Sequence, residues 1–246
     1  MIIIELQNNL CSIFMLCVHC LKETGKTRDH IFPKHWYPLD TPSSVQRPTV
    51  PSCKKCNNEL GKAEQEIFIK LAMCLDPSNI KAIGINMKLY KSFGFFVDTK
   101  KVGIEEVKKR QNILNKIFSQ IKDYDPKIKP FPGFGYHKDF APQEHKRIDV
   151  PAIELLSVAK KIIRGLEFIY GENKYITKPH ELKVYFIDVN IDLVDSLLKK
   201  FGVKKHYGPG FVVERAIAGG GSGSVLYRIT IWDTLVIYGS VLKKIN

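Results

Sequence analysis

The chain has 246 residues, a net charge of +13 and a pI near 9.4. Its hydrophobic fraction of 44% suits one large domain or two smaller ones, and its charged fraction of 26% is ordinary for a globular protein. No run reaches the roughly 18 apolar residues of a membrane span, and the basic balance favours a polyanionic partner, nucleic acid before membrane surface.

The first residues, "MIIIELQNNLCSIFMLCV", carry Glu5 and lack a basic leader and a small-residue cleavage site. They read as a short strand or cap, not as a secretory signal, and the chain is expected to be soluble and cytoplasmic. Residues 17–58 are turn-rich, with Pro33, Pro38, Pro42, Pro48 and Pro51. Such a segment buries little by itself and needs a staple. From Asn57 the spacing of Leu60, Ile67, Phe68, Leu71 and Leu75 predicts a helix, stopped by Asp76-Pro77.

Residues 103–122 predict an amphipathic helix on Ile104, Val107, Leu114, Ile117, Phe118 and Ile121. Residues 129–147 read as a connecting loop. A second helix is predicted over 152–170, with Gly171 as its C-terminal cap. "ELKVYFIDV", "PGFVVERAIA" and "SVLYRITIWDTLVIYGSVL" read as strands, "DLVDSLLKKFG" as a short helix, and "GGGSGS" as a hairpin loop. That glycine run leads into a strand and lacks Gly-Lys-Ser/Thr, so it is not a phosphate cradle.

The positive charge is uneven. Residues 1–75 carry 9 Lys+Arg against 7 Asp+Glu, and residues 81–130 carry 12 against 5. Of the six cysteines, Cys11 and Cys74 stand in apolar surroundings and read as buried thiols. The other four form two pairs, Cys17-x-x-Cys20 and Cys53-x-x-Cys56, at zinc-ligand spacing. A thioredoxin-type pair needs one C-x-x-C in a βαβ setting, and a haem attachment needs His where Leu21 and Asn57 stand. A zinc deaminase needs H-x-E, but Ile31-Phe32 follow His30. Four cysteines make a closed structural Zn2+ site with no open position for water. The 32 residues from Leu21 to Ser52 exceed the about 15–20 of a simple ribbon, so something is inserted between the knuckles.

That insertion holds Asp29-His30. On an extended segment the two side chains face opposite ways, so one is free to serve a metal and the other a water. The bland alternatives are a turn with a hydrogen-bonded histidine, and Asn57 as a helix N-cap. The order Cys17-x-x-Cys20, Asp29-His30-Ile31-Phe32-Pro33, Pro51-Ser52-Cys53-x-x-Cys56-Asn57 resembles the zinc-supported HNH endonucleases, over about residues 15–66. The resemblance implies an α+β chain with a ββα-metal, treble-clef-like unit at 1–76, followed by a basic α+β region at 77–246. It implies His30 as general base, Asp29 and Asn57 as ligands of a catalytic Mg2+ or Mn2+, and Cys17, Cys20, Cys53 and Cys56 as the zinc cage.

The implied substrate is DNA before RNA, in a role serving mobile elements or defence against phage. The carboxyl-terminal region is expected to bind nucleic acid, to form a homodimer or to meet a partner protein. The alternative is a zinc-stapled nucleic-acid-binding module without catalysis, and a weaker one is a protein-interaction scaffold. One departure stands out. The family's middle Asn, which orients the base, is matched by Pro48, so a backbone carbonyl or Gln46 is left to orient His30. Lys34, Arg47, Lys54, Lys55 and Lys62 are candidate phosphate contacts, or ordinary surface. His35 and Trp36 either line the cleft or pack beside Pro38, Glu64 and Glu66 are expected to be exposed, and His137, His145, His180 and His206 to be structural or exposed.

Overall fold

The computed structural model describes residues 15–76, 78–95, 100, 103–131, 133–134, 140–171, 175–176, 182–186, 191–218 and 223–242. Cys11, the expected amino-terminal strand, His137, His180 and the centre of the glycine run lie outside the described residues. The chain is α+β, as expected. No helix among the described residues is long and apolar enough to cross a membrane.

Strand β1 (Thr27–His30) pairs antiparallel with β2 (Thr49–Ser52), Asp29 opposite Val50 and His30 opposite Thr49. Helix α1 (Lys54–Met73) follows directly. It starts three residues before the expected Asn57, because Cys53 is the N-cap: its Sγ accepts from the Cys56 N–H. Asn57 is therefore a first-turn residue. The cap at the other end, Cys74, is exposed and not buried as expected, because the helix stops before that residue can turn inward.

Helices α2 (Ile85–Ser92) and α3 (Ile104–Phe118) come next, then the short pair β3 (Lys122–Asp123) and β4 (Lys146–Arg147). The expected stripe of α3 is only partly covered: Ile117 is buried, while Ile104 and Phe118 are exposed. Helix α4 (Ala152–Tyr170) has the predicted bounds, and the Gly171 N–H caps it on Glu167 O. The rest is β5 (Leu182–Tyr185), α5 (Ile191–Phe201), β6 (Val203–His206), β7 (Phe211–Ile217), β8 (Val225–Ile231) and β9 (Leu235–Val241). These strands form one antiparallel sheet in the order β5-β9-β8-β7-β6. Alternating burial along β8, with Val225, Tyr227, Ile229 and Ile231 inward, shows one covered face.

One buried cluster runs through both parts of the chain, from Ile31, Phe32 and Trp36 through Phe68 and Ile162 to Phe211 and Trp232. The β8–β9 turn, Trp232-Asp233, has positive φ at both residues, the geometry of a tight hairpin without the usual Asn-Gly. It is held from outside: Trp232 Nε1 donates to Trp36 O at 2.8 Å, and the two indoles lie 5.5 Å apart. Trp36 is thus core and not cleft.

Helix α4 sits between the two parts. On one side a Cβ at Gly165 would stand 2.8 Å from Cγ1 of buried Ile31, and on the other Ile163 fills the space left by Gly239 of β9. Gly165→Ala should therefore destabilise the protein by about 1–3 kcal/mol through overpacking, although alanine favours a helix by about 1 kcal/mol. Denaturant unfolding of the variant measures the sign; a net gain in stability would show that α4 does not bear on Ile31.

Candidate active site

The first knuckle is a tight turn. Leu21 N–H donates to Cys17 O, Cys17 N–H to Glu23 O, and Leu21 adopts φ +57° to close it. Val18 N–H donates to Pro51 O and fastens this turn to β2. The second knuckle is the start of α1. Together they bring the Sγ atoms of Cys17, Cys20, Cys53 and Cys56 within 4.8 Å of one another, and Cys20 and Cys53 to 4.0 Å. A tetrahedral zinc with Zn–S of about 2.3 Å sets sulfurs about 3.8 Å apart, so the four thiols fit the ion.

Their charges point the same way. Burial raises the Cys53 and Cys56 thiols, and the neighbouring sulfurs add to this for Cys56. Burial also acts on Cys20, but the backbone at Lys22 and Glu23 outweighs it and brings that thiol down to about 7. Without a cation Cys53 and Cys56 are held neutral, and deprotonating all four thiols this close together needs one. Metal analysis should find about one zinc per chain, and Cys56→Ser should lower both zinc content and Tm. A zinc-free native protein would remove the cage.

On β1, Thr27 and Asp29 face α1, and Arg28 and His30 face away, as the burial along the strand shows. Asn57 Nδ2 donates to Thr27 Oγ1 at 3.1 Å, which places it on the Asp29 side of the hairpin. His30 makes no hydrogen bond to Asp29 or Asn57 among the described residues. The structure thus gathers Asp29 and Asn57 on one face and leaves His30 on the other.

Asp29 is only 6% exposed. Its Oδ2 accepts from Nε2 of His19, between Cys17 and Cys20, at 3.0 Å, and its Oδ1 accepts from Lys161 Nζ of α4 at 2.8 Å. Lys161, 1% exposed, also donates to Glu64 Oε1 of α1. Burial raises the Asp29 carboxyl, but His19 and Lys161 outweigh it and hold it below the usual range. Burial pushes the Glu64 carboxyl up to about 7, against the pull of Lys161 and with the push of Asp29. Glu64 was expected at the surface and is instead buried, because α4 covers that turn of α1.

A carboxylate and an amide oxygen are suitable donors for a hard divalent ion. As arranged here they do not accommodate one: both Asp29 oxygens are engaged, and an ammonium stands on one of them.

His30 is half-buried. Burial lowers its pKa most, helped by Lys34 and Lys161, while the Arg47 backbone and Asp29 pull the other way. At neutral pH the imidazole is therefore unprotonated and able to accept a proton. The Arg47 backbone bears on the imidazole, and Pro48 O fixes the end of β1 through the Ile31 N–H at 3.0 Å. Nδ1 is buried without a hydrogen bond of ordinary geometry. His35 is half-buried, edge-on to Phe68, and burial pushes it down to about 4.

Beside Thr49, the partner of His30, opens a cleft of about 630 Å³ lined by Gln46, Arg47, Thr49, Lys205, His206 and Tyr207 among others. None of its lining residues is acidic. The Arg47 guanidinium lies 5.1 Å from the Tyr37 ring centre, and Lys205 Nζ 5.1 Å from that of Tyr207. Sequence spacing did not point to His19, Lys161 or Lys205. The available signal for Lys161 was a lysine amid the apolar Val158, Ala159, Ile162 and Ile163 of a core helix.

Comparison of the chain with family models, curated proteins and solved structures finds no match.

Glu64 gives the site a pH signature. Its folded pKa lies above the ordinary value of 4.5, so the neutral form favours the fold. That contribution is complete below about 4.5 and is lost as pH rises through about 7. The stability of wild type relative to Glu64→Gln should fall by up to about 3 kcal/mol across this window. Unfolding measured against pH for both proteins checks it; a parallel pair of curves would place Glu64 outside the buried cluster.

Proposed function

We propose that the chain is an HNH-type endonuclease that hydrolyses nucleic-acid phosphodiester bonds, DNA in preference to RNA, with His30 as general base. What supports this reading is a neutral, half-buried imidazole at the end of a hairpin joined to the cysteine cluster; its strand partner Thr49 lines a cleft that, among the described residues, carries Arg47 and Lys205 and no acid. His30 takes a proton from water, the oxygen attacks phosphorus, and the sugar oxygen leaves. Arg47 and Lys205 hold flanking phosphates, which positions the strand without reading its sequence. Tyr207 is 5% exposed, so it serves as packing under Lys205 and not as a stacking platform.

The Mg2+ or Mn2+ that the resemblance implies on Asp29 and Asn57 would stabilise charge at the phosphate. Because Lys161 occupies Asp29, no step is routed through that ion.

Lys161 on Asp29 favours a second reading, a zinc-stapled module that binds nucleic acid without cutting it. Plasmid DNA and RNA are incubated with wild type and His30→Ala under Mg2+, Mn2+ and EDTA. The nuclease reading expects cleavage that falls about 10²–10⁴-fold in the variant. Salt-sensitive binding with no cleavage under any metal would establish the second. Cleavage equal in both proteins would remove His30 as the base.

A further inference from the structure

We propose that Lys161 is the resident cation of the Asp29 site and keeps divalent ions out of it: while α4 is docked, the ammonium stands between Asp29 and Glu64 and the chain binds no Mg2+ or Mn2+ there. Three observations carry this. The ammonium bridges two carboxylates on the two elements, β1 and α1, whose residues would otherwise hold the ion. It is almost wholly shut from water, and so are both carboxylates, so no bulk solvent screens it from a second cation. The helix that carries it, α4, is seated between Ile31 at Gly165 and Gly239 at Ile163.

A hard divalent ion binds carboxylate oxygen at about 2.0–2.6 Å. Lys161 Nζ already lies 2.8 Å from Asp29 Oδ1, in the same volume. Like charges at that separation in a buried site cannot coexist, so ammonium and ion are alternatives. His19 holds the other Asp29 oxygen, so removing the ammonium frees Asp29 Oδ1 and Glu64 Oε1 together.

Lys161 comes 132 residues after Asp29 and 97 after Glu64, so the occupant of the site is supplied by the carboxyl-terminal region. Closure by Lys161 follows from the ion cluster alone and holds whether or not His30 is a catalytic base.

The test is Mn2+ binding to the zinc-loaded full chain, followed by electron paramagnetic resonance and by the Mn2+-dependent rise in Tm. Wild type and Asp29→Asn should give the same isotherm, because no Mn2+ reaches Asp29 in either. Lys161→Met should gain a site about tenfold or more tighter than any in wild type, with a Tm that climbs with Mn2+. That gain should vanish in Lys161→Met/Asp29→Asn. Lys161→Gln, which keeps a hydrogen-bond donor, serves if the methionine variant does not fold. A wild-type site lost in Asp29→Asn would overturn the proposal, as would a folded Lys161 variant that gains no Asp29-dependent binding. None of these readouts needs cleavage, so a failed nuclease assay leaves them intact.

Discussion

The placing of one buried ammonium governs this structure. Lys161 enters from α4 and satisfies Asp29 of β1 and Glu64 of α1 in a volume almost closed to water. Each ion loses hydration worth several kcal/mol, which only close partners offset. Removing one partner of such a cluster costs about 3–5 kcal/mol, because the others are left buried and unmatched. Three elements from distant parts of the chain therefore cannot shift independently. Six residues on, Glu167 does the same towards the sheet, accepting from Arg215 Nη2 at 3.1 Å and from the Tyr227 hydroxyl. Helix α4 is pinned by charge on both sides and by close packing between.

The cysteine cluster and this ion cluster divide the work of building the hairpin. Two four-residue strands bury too little to stand alone. The cage joins the first knuckle to the start of α1, and Val18 ties it to β2. Lys161 then fixes Asp29 from the opposite side. His30, next in sequence but facing away, inherits its position from both without contacting either. The backbone around Arg47 and Pro48 adds to this: Arg47 bears on the imidazole, and Pro48 O accepts from the Ile31 N–H just after it.

What the sequence made legible is what rests on local rules. Cysteine spacing located the cysteine cluster, apolar periodicity located α4 to the residue, and β-branched content found every strand of the sheet except β6, whose Val-Lys-Lys-His is exposed throughout and shows no apolar alternation. The N-terminus of α1 was misplaced because a cysteine, not an asparagine, caps it. The tight turn at Trp232-Asp233 has Asp233 but no glycine, and its positive-φ backbone at Trp232 is held by Trp36 and Asn79 elsewhere in the chain. Glu64 and Lys161 look like surface residues in a helical pattern, because nothing local shows that each is the other's partner. A buried ion pair is a property of two segments together, and 97 residues separate these two.

The same pairing changes what the carboxyl-terminal region is. As a separate basic appendage it would act on nucleic acid only by charge. Yet its helix supplies the cation at Asp29, and its strand β6 supplies Lys205 and His206 to the cleft beside His30. The most basic stretch of the sequence, residues 81–130, contributes nothing to that cleft lining. Any motion that opened Asp29 would have to move α4, and with it the sheet that forms the far wall of the cleft.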